Sequence, residues 1–286
     1  MSGLLEIVKA VIFGVIMGIT EWLPISAAGH LVLLNSVIPL HVFEDAAMNA
    51  SFWNMFKGAL QLGALFAVIV LYGRRLWPFR TKKTENVRRP VLRLWLIILI
   101  ATVPVALLGL FLRNLAEERL TTPVVISAAL IIYGILFLLP ELKNRRGKVN
   151  TFGEISPQQA VVNGLFEALA LIPGTGRAAA SITGSMLLGY SRQVAVEFSV
   201  FLSIPVLLGT SLLRLIGADV THGVLSITVL ATGMIISFAT SVVVIRSFMR
   251  YIKNNGFRLF GLYRIVLGIL ILILALMDIL PAGLSV

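Results

Sequence analysis

Cysteine is absent from all 286 residues. That excludes disulfides and thiolate-bound metals, and it leaves the redox compartment unread. Charge is scarce as well: 13% of residues are charged, against roughly 25% in ordinary soluble domains. Acids are scarcer than bases, 13 against 24, and histidine occurs three times. Few side chains are available for acid–base or metal chemistry, so each one placed within an apolar run stands out. The short loops of this chain leave no room for a separate soluble domain, so 1–286 reads as one membrane domain.

What is abundant is apolar. Hydrophobic residues make up 58% of the chain and the mean hydropathy is +0.97, the composition of an all-α polytopic membrane protein. The net charge of +11 would point to nucleic acid in a soluble protein. Here the bases lie in loops between apolar spans, so they report topology, and no nucleic-acid partner is expected. The N-terminus could pass for a signal sequence, with Ser26-Ala27-Ala28 as its cleavage site. Glu6 precedes Lys9, so there is no basic leading region, and an uncleaved segment is expected.

Six segments are long and apolar enough to span: about 53–72, 94–112, 122–140, 198–216, 224–245 and 260–280. Two more, about 4–38 and 158–189, are broken by Pro24 to Gly29 and by Pro173 to Gly176. Proline and glycine remove helix hydrogen bonds, and the freed backbone groups must be satisfied inside the protein. Both segments read as re-entrant helix hairpins, with 4–23 as an ordinary spanning helix the alternative for the first. Loops 73–93, 141–157 and 246–258 carry the bases, among them Arg74, Arg80, Lys82, Lys83, Lys143, Arg145, Arg146, Arg246 and Lys253. The other loops are mixed or acidic, with Arg113, Glu117, Glu118 and Arg119 in one and Asp219 and His222 in another. Excess Lys and Arg marks the cytoplasmic side, which places both termini outside. Residues 1–140 and 141–286 then share one plan in opposite orientation, an inverted repeat of the transporter kind with its site where the broken helices meet. Gly14-x-x-Met17 before Pro24 has its counterpart in Gly164-x-x-Glu167 before Pro173.

Charge at membrane depth costs roughly 2.5–3.5 kcal/mol on insertion scales, so residues placed there are functional candidates. Glycine-rich helix starts suit phosphate, and Arg177 beside Gly174 and Gly176 offers a guanidinium fork for its oxygens. Glu21 and Glu167 can hold a divalent ion or move a proton. His30 is a candidate nucleophile or acid. Ser26 and Ser181 add hydroxyls, Gly29 lies at the first tip, and Gln61 is a candidate to contact substrate. Apolar walls favour a lipid tail over a sugar. Lys57 and Arg214 read as residues near span ends that snorkel, Arg192 reads as a partner for Glu197, and Arg264 as a partner for a buried acid.

At these residues the chain resembles the bacterial undecaprenyl-diphosphatase family of the bacitracin-resistance type. That family's first motif reads Gly-x-x-Glu-Gly-x-Thr-Glu-[Phe/Trp]-Leu-Pro-[Ile/Val]-Ser-Ser-[Thr/Ser]-Gly-His. Here it stands as Gly14-Val15-Ile16-Met17-Gly18-Ile19-Thr20-Glu21-Trp22-Leu23-Pro24-Ile25-Ser26-Ala27-Ala28-Gly29-His30. The second, Pro-Gly-x-Ser-Arg-Ser-Gly-x-Thr, stands as Pro173-Gly174-Thr175-Gly176-Arg177-Ala178-Ala179-Ala180-Ser181. Gln61-Leu62-Gly63, Ser191-Arg192, Glu197-Phe198-Ser199, Pro205 and Tyr263-Arg264 also match. The resemblance implies six spanning helices with two re-entrant hairpins and an outward-facing site in the bacterial inner membrane. It also implies removal of the terminal phosphate of a polyprenyl diphosphate, recycling the lipid carrier of cell-wall synthesis, with a divalent cation (Mg or Ca) as cofactor. Glu21, His30 and Arg177 would be catalytic and Glu21 would hold the metal, with Glu167 a second ligand on the strength of its own carboxylate and its place in the repeat.

The departures are concentrated. Met17 replaces a Glu, Ala27 and Ala28 replace hydroxyl residues, Gly176 and Ala178 replace serines, Ala179 replaces a Gly and Ser181 a Thr. The family's candidate serine nucleophile is missing at Ala27, so hydrolysis must use His30 or a water activated by Glu21. Where the family has Gln this chain has Glu167, which mirrors position 17 in the repeat, so an acid lost from one hairpin reappears in the other. A homologue that binds or translocates polyprenyl phosphate without cutting it is the alternative function.

Overall fold

The computed structural model describes residues 2–78, 85–142, 147–217 and 223–280. Among these it is all-helical: α1 (Ser2–Thr20), α2 (Ala27–Val37), α3 (Ala46–Leu76), α4 (Glu85–Arg119), α5 (Pro123–Leu142), α6 (Pro157–Ala168), α7 (Arg177–Leu187), α8 (Arg192–Ile216), α9 (Val224–Asn254) and α10 (Arg258–Leu276). Of the residues used for orientation, Arg80, Lys82, Lys83, Lys143, Arg145, Arg146, Asp219 and His222 lie outside the described residues, as do the side chains of Arg113, Glu117 and Glu118.

Among the described residues six helices are long and apolar enough to cross a membrane, in α1, α3, α4, α8, α9 and α10. This is a multi-pass membrane protein. α5 is a further apolar helix of 20 residues. The expected set held α5 in place of α1. Yet α1 has 19 residues and reaches about 28 Å at 1.5 Å per residue, close to the thickness of a bilayer core. α2, α6 and α7, with 11, 12 and 11 residues, are each about 16–18 Å long, half a crossing.

Helix starts follow local chemistry that hydropathy alone misses. α3 begins at Ala46 because the Asp45 carboxylate accepts from the Met48 N–H at 2.7 Å, a side-chain N-cap. Asn49 gathers the incoming loop, accepting from Val42 and Phe43 N–H and donating to the Leu40 carbonyl. Glu6 on α1 holds the same loop, accepting from His41 N–H at 2.9 Å and from Lys9 Nζ at 2.7 Å. α6 opens on a capping box between Ser156 and Gln159, which satisfies two of its free N–H groups at once.

The packing exchanges with itself when the two halves of the chain are swapped. α1 lies on α9 and α6 on α4; α3 packs against α9 and α8 against α4; α3 meets α8, and α5 meets α10. The corresponding small residues make the close approaches. A Cβ on Gly14 would stand 2.8 Å from the Gly233 carbonyl of α9, and one on Gly164 would collide with the Ala101 carbonyl of α4. Such backbone proximity drives helix association where no hydrophobic effect acts between helices. At the α1–α3 contact an aromatic cluster seals the bundle, with Phe13 edge-on to Trp53 at 5.1 Å and to Phe56 at 5.9 Å.

Candidate active site where the two helix breaks meet

α1 stops at Thr20 because Pro24 cannot donate to a continuing helix. The chain turns through 21–25 and re-enters helix at Ser26, which has φ 76° and accepts from Gly29 N–H at 3.4 Å. The second break ends the same way. Gly176 has φ 78° and precedes α7, and Gly174 has φ 95°. A Cβ on Gly174 would lie 2.5 Å from the Ile126 carbonyl, and one on Gly176 would lie 2.9 Å from Ser26 Cα. The two breaks are in direct contact.

Arg264 on α10 fastens them. Its Nη1 donates to the Pro24 carbonyl at 3.2 Å, and its Nη2 to the Gly174 and Thr175 carbonyls at 2.9 and 2.8 Å. The side chain is fully buried. An acid was the expected partner. The carbonyls freed where each helix breaks are the partners found, and buried carbonyls without helix partners need donors.

Arg177, first residue of α7, carries the charge of the site. Its Nε donates to Glu21 Oε1 at 2.9 Å and its Nη1 to the Ser199 carbonyl at 3.0 Å, while Nη1 stands 3.7 Å from Glu167 Oε1. The guanidinium lies 5.7 Å from the buried Trp22 ring, within cation–π reach. Glu167 is almost wholly buried, and neither of its carboxylate oxygens has a hydrogen-bond partner among the described residues.

These residues open on a cavity of about 380 Å³ whose polar lining is Glu21, Glu167, Arg177, Gln61, Lys57, Arg214, Thr102 and Thr210. The Gln61 Oε1 is buried there with no hydrogen-bond partner among the described residues. Met17, Ala27, Ala28, Gly174, Gly176 and Pro205 complete the wall beside apolar residues. Both threonine hydroxyls donate to their own helices, Thr102 to the Ile98 carbonyl and Thr210 to the Val206 carbonyl.

Of the residues singled out by sequence, Glu21, Glu167, Arg177, Gln61, Gly174 and Gly176 come together here. Ser26, Gly29, Ser181 and His30 do not line the cavity. Ser26 and Gly29 form the N-cap behind the first tip. Ser181 is fully buried and donates to Asn163 Oδ1 at 3.1 Å, tying α7 to α6. His30 faces α10: its Nδ1 lies 2.8 Å from the Ser26 carbonyl and its Nε2 2.7 Å from the Tyr263 hydroxyl. A carbonyl only accepts, so Nδ1 carries a proton, and in the neutral ring Nε2 accepts from Tyr263.

Arg214 stands in the last turn of α8, near a span end as expected, and also lines the cavity, whereas Lys57 departs from its expected place. Lys57 is 5% exposed and sits against the Trp53 ring at 5.5 Å. Seven residues of α3 precede the span expected from position 53, which carries Lys57 to the twelfth position of the helix and into the cavity wall. Glu197 has Arg75 of α3 as a salt-bridge partner at 2.9 Å.

A divalent cation fits this donor set in one way. Glu21 and Glu167 converge on Arg177, and neither Glu167 oxygen has a hydrogen-bond partner among the described residues. Among the described residues no group of three or more His, Cys, Asp or Glu side chains is placed to hold a metal. Magnesium is commonly held by one or two carboxylates together with substrate phosphates, so the two acids fit a cation completed by phosphate oxygens.

A family model described as "Bacitracin resistance protein BacA" matches residues 10–270. The undecaprenyl-diphosphatase of Acetivibrio thermocellus is 39% identical over 272 residues, covering 94% of this chain and 98% of that protein. Undecaprenyl-diphosphatase 1 of Clostridioides difficile is 41% identical over 269 residues, covering 94% and 96%. The undecaprenyl-diphosphatase of Enterococcus faecalis is 41% identical over 276 residues, covering 94% and 97%.

Proposed function

Because the chain belongs to the bacitracin resistance protein BacA family, we propose that it hydrolyses a polyprenyl diphosphate, as the names of its undecaprenyl-diphosphatase relatives describe. The products are inorganic phosphate and a polyprenyl monophosphate, the lipid carrier returned to cell-wall synthesis. The observation that carries this reading is Arg177 at a helix start, held between Glu21 and Glu167, in a cavity with otherwise apolar walls.

Arg177 and the N-terminal N–H groups of α7 receive the terminal phosphate. In the transition state the guanidinium stabilises charge on the transferring phosphoryl oxygens. No lining hydroxyl is poised to attack: Ala27 and Ala28 present methyl groups, and Thr102 and Thr210 are bonded to their own helices. Water is the nucleophile, with Glu21 taking its proton, and the anhydride P–O bond opposite it breaks. Glu21 and Glu167 would hold a divalent cation, Mg or Ca, which neutralises diphosphate charge when bound. His30, outside the cavity, holds the Ser26 carbonyl and so positions the first tip.

The swapped-half packing supports two repeats, 1–140 and 141–286, with α1–α2 and α6–α7 as re-entrant pairs whose tips meet near the midplane. The basic loops support a cytoplasmic face for 73–93, 141–157 and 246–258, with both termini and the cavity mouth outside a bacterial inner membrane.

The test is phosphate release from farnesyl diphosphate by purified protein. Arg177→Ala and Glu21→Gln are expected to lower the rate by about 100-fold or more. Wild-type release no faster than that of Arg177→Ala would end this reading.

A further inference from the structure

Tyr263 of α10 has no part in the reaction above, yet its hydroxyl is joined to the first tip through one side chain. It lies 2.7 Å from His30 Nε2, and the two rings are near parallel, 7° apart with centroids separated by 5.8 Å. Tyr263 is 42% exposed, on a face of α10 where Leu259, Leu262 and Val266 are exposed as well. That face of a spanning helix meets lipid, where no water competes for a phenol hydroxyl or an imidazole nitrogen. Each is therefore the other's partner, and their bond decides how the ring is protonated. A neutral imidazole carries one N–H. With Tyr263 donating to Nε2, the proton stays on Nδ1, which faces the Ser26 carbonyl at 2.8 Å.

Ser26 stands at φ 76°, a conformation that a non-glycine residue keeps only where its surroundings over-determine it. Its carbonyl receives the His30 N–H at 3.3 Å and the shorter bond from Nδ1. Arg264, next along α10, donates to the Pro24 carbonyl. Adjacent residues of one helix thus hold the first tip on both sides of Ile25. Ser26 bears on Gly176, where a Cβ would lie 2.9 Å from the Ser26 Cα, and Gly176 precedes Arg177 at the start of α7. We propose that Tyr263 is a positioning residue: by donating to His30 Nε2 it fixes the Nδ1–H tautomer, which anchors Ser26 and, through Gly176, sets where Arg177 meets the phosphate. The inference rests on the proposed function for the ligand that Arg177 receives.

The experiment reads the ring and the site separately, on purified full-length protein in detergent. NMR of protein labelled at the imidazole nitrogens, with His41→Gln and His222→Gln leaving His30 as the sole histidine, reports which ring nitrogen bears the proton. The Tyr263 form is expected to show Nδ1 protonated and Nε2 bare. Tyr263→Phe keeps the aromatic ring and removes the hydroxyl, and is expected to mix in the other tautomer. Binding of the non-hydrolysable methylene analogue of farnesyl diphosphate is the second readout. Losing one hydrogen bond in the chain that places Arg177 is expected to weaken the analogue about fivefold in Tyr263→Phe. In a His30→Ala background, Tyr263→Phe is expected to add less than about twofold, because its effect runs through the ring. A tyrosine that served the fold alone would leave the tautomer in place and add its full effect to that of His30→Ala. The proposal is overturned by an unchanged tautomer in Tyr263→Phe, by a proton on Nε2 with Tyr263 present, or by additive effects of the two substitutions. Wild-type protein that does not bind the analogue, or Tyr263→Phe protein that binds it as tightly as wild type, overturns it too. The expected tautomer change and weakening without phosphate release from farnesyl diphosphate would remove the hydrolytic reading and leave the positioning role standing. Phosphate release with an unchanged tautomer would do the reverse.

Discussion

Ser26 and Gly176 are backbone twins in contact. Each is the residue before the second helix of a broken pair, with φ of 76° and 78°, and a Cβ on Gly176 would press to 2.9 Å from Ser26 Cα. One of the pair is glycine and the other is not. A non-glycine residue at positive φ costs of order 1–3 kcal/mol, and Ser26 offsets part of that by capping α2.

A stability order follows from that pair. Gly176→Ala adds both the φ strain and the clash with Ser26, and is expected to be the most destabilising, by roughly 2–3 kcal/mol. Ser26→Ala keeps the strain and loses the cap, for about 1 kcal/mol. Ser26→Gly relieves the strain and loses the cap, and should stay within about 0.5 kcal/mol of wild type. Apparent melting midpoints in detergent check the order; Gly176→Ala melting with wild type would contradict the contact between the tips.

Arg264→Lys should fail to substitute. One ammonium on a flexible stem cannot reproduce a planar fork that serves three carbonyls on two separate breaks. Each carbonyl left unpaired costs about 1–3 kcal/mol. A lower melting midpoint together with loss of phosphate release is expected. Unchanged release would mean that the tips hold their places without Arg264.

Glu167→Gln tests whether an acid has moved between the repeats. Removing its charge beside Arg177 is expected to lower phosphate release at least tenfold. Met17 lines the same cavity, so Met17→Glu in the Glu167→Gln background should recover part of that loss. A Glu167→Gln protein with wild-type release would show that the acid at 167 has no function.

The absence of cysteine makes orientation directly measurable. A single cysteine at Ser2 is expected to react with a membrane-impermeant maleimide on intact cells. One at Lys148 or Asn255 should react only after permeabilisation. The opposite pattern would invert the assigned topology.

The helix breaks were legible because proline and glycine interrupt apolar runs at Pro24 and Pro173, and the structure turns at both. The charge centre was legible because Arg177 and Glu21 are charged residues inside those breaks. The place of Lys57 was not, for a physical reason: hydropathy marks where a helix becomes apolar, and not where it begins. The cap at Asp45 starts α3 among polar residues, which moves Lys57 from an apparent helix end to its interior. Nor could the sequence show that His30 turns away from Arg177, since Glu21 and His30 lie in one stretch but on opposite sides of the Ser26 turn. Ser181 lies one turn after Arg177 on α7, and its hydroxyl is taken up by Asn163 of α6, a partner from another helix that the sequence does not point to.

Glu21 lies where a phosphate oxygen would bond, on the Nε edge of Arg177. Arg177 thus carries its own surrogate anion. On the proposed mechanism a headgroup entering the cavity would exchange with a carboxylate instead of filling a bare charge, so part of its attraction to Arg177 would be offset by the bond it displaces. The displaced carboxylate would then serve as base only once substrate arrives, and arming of the base and arrival of the substrate would be one event.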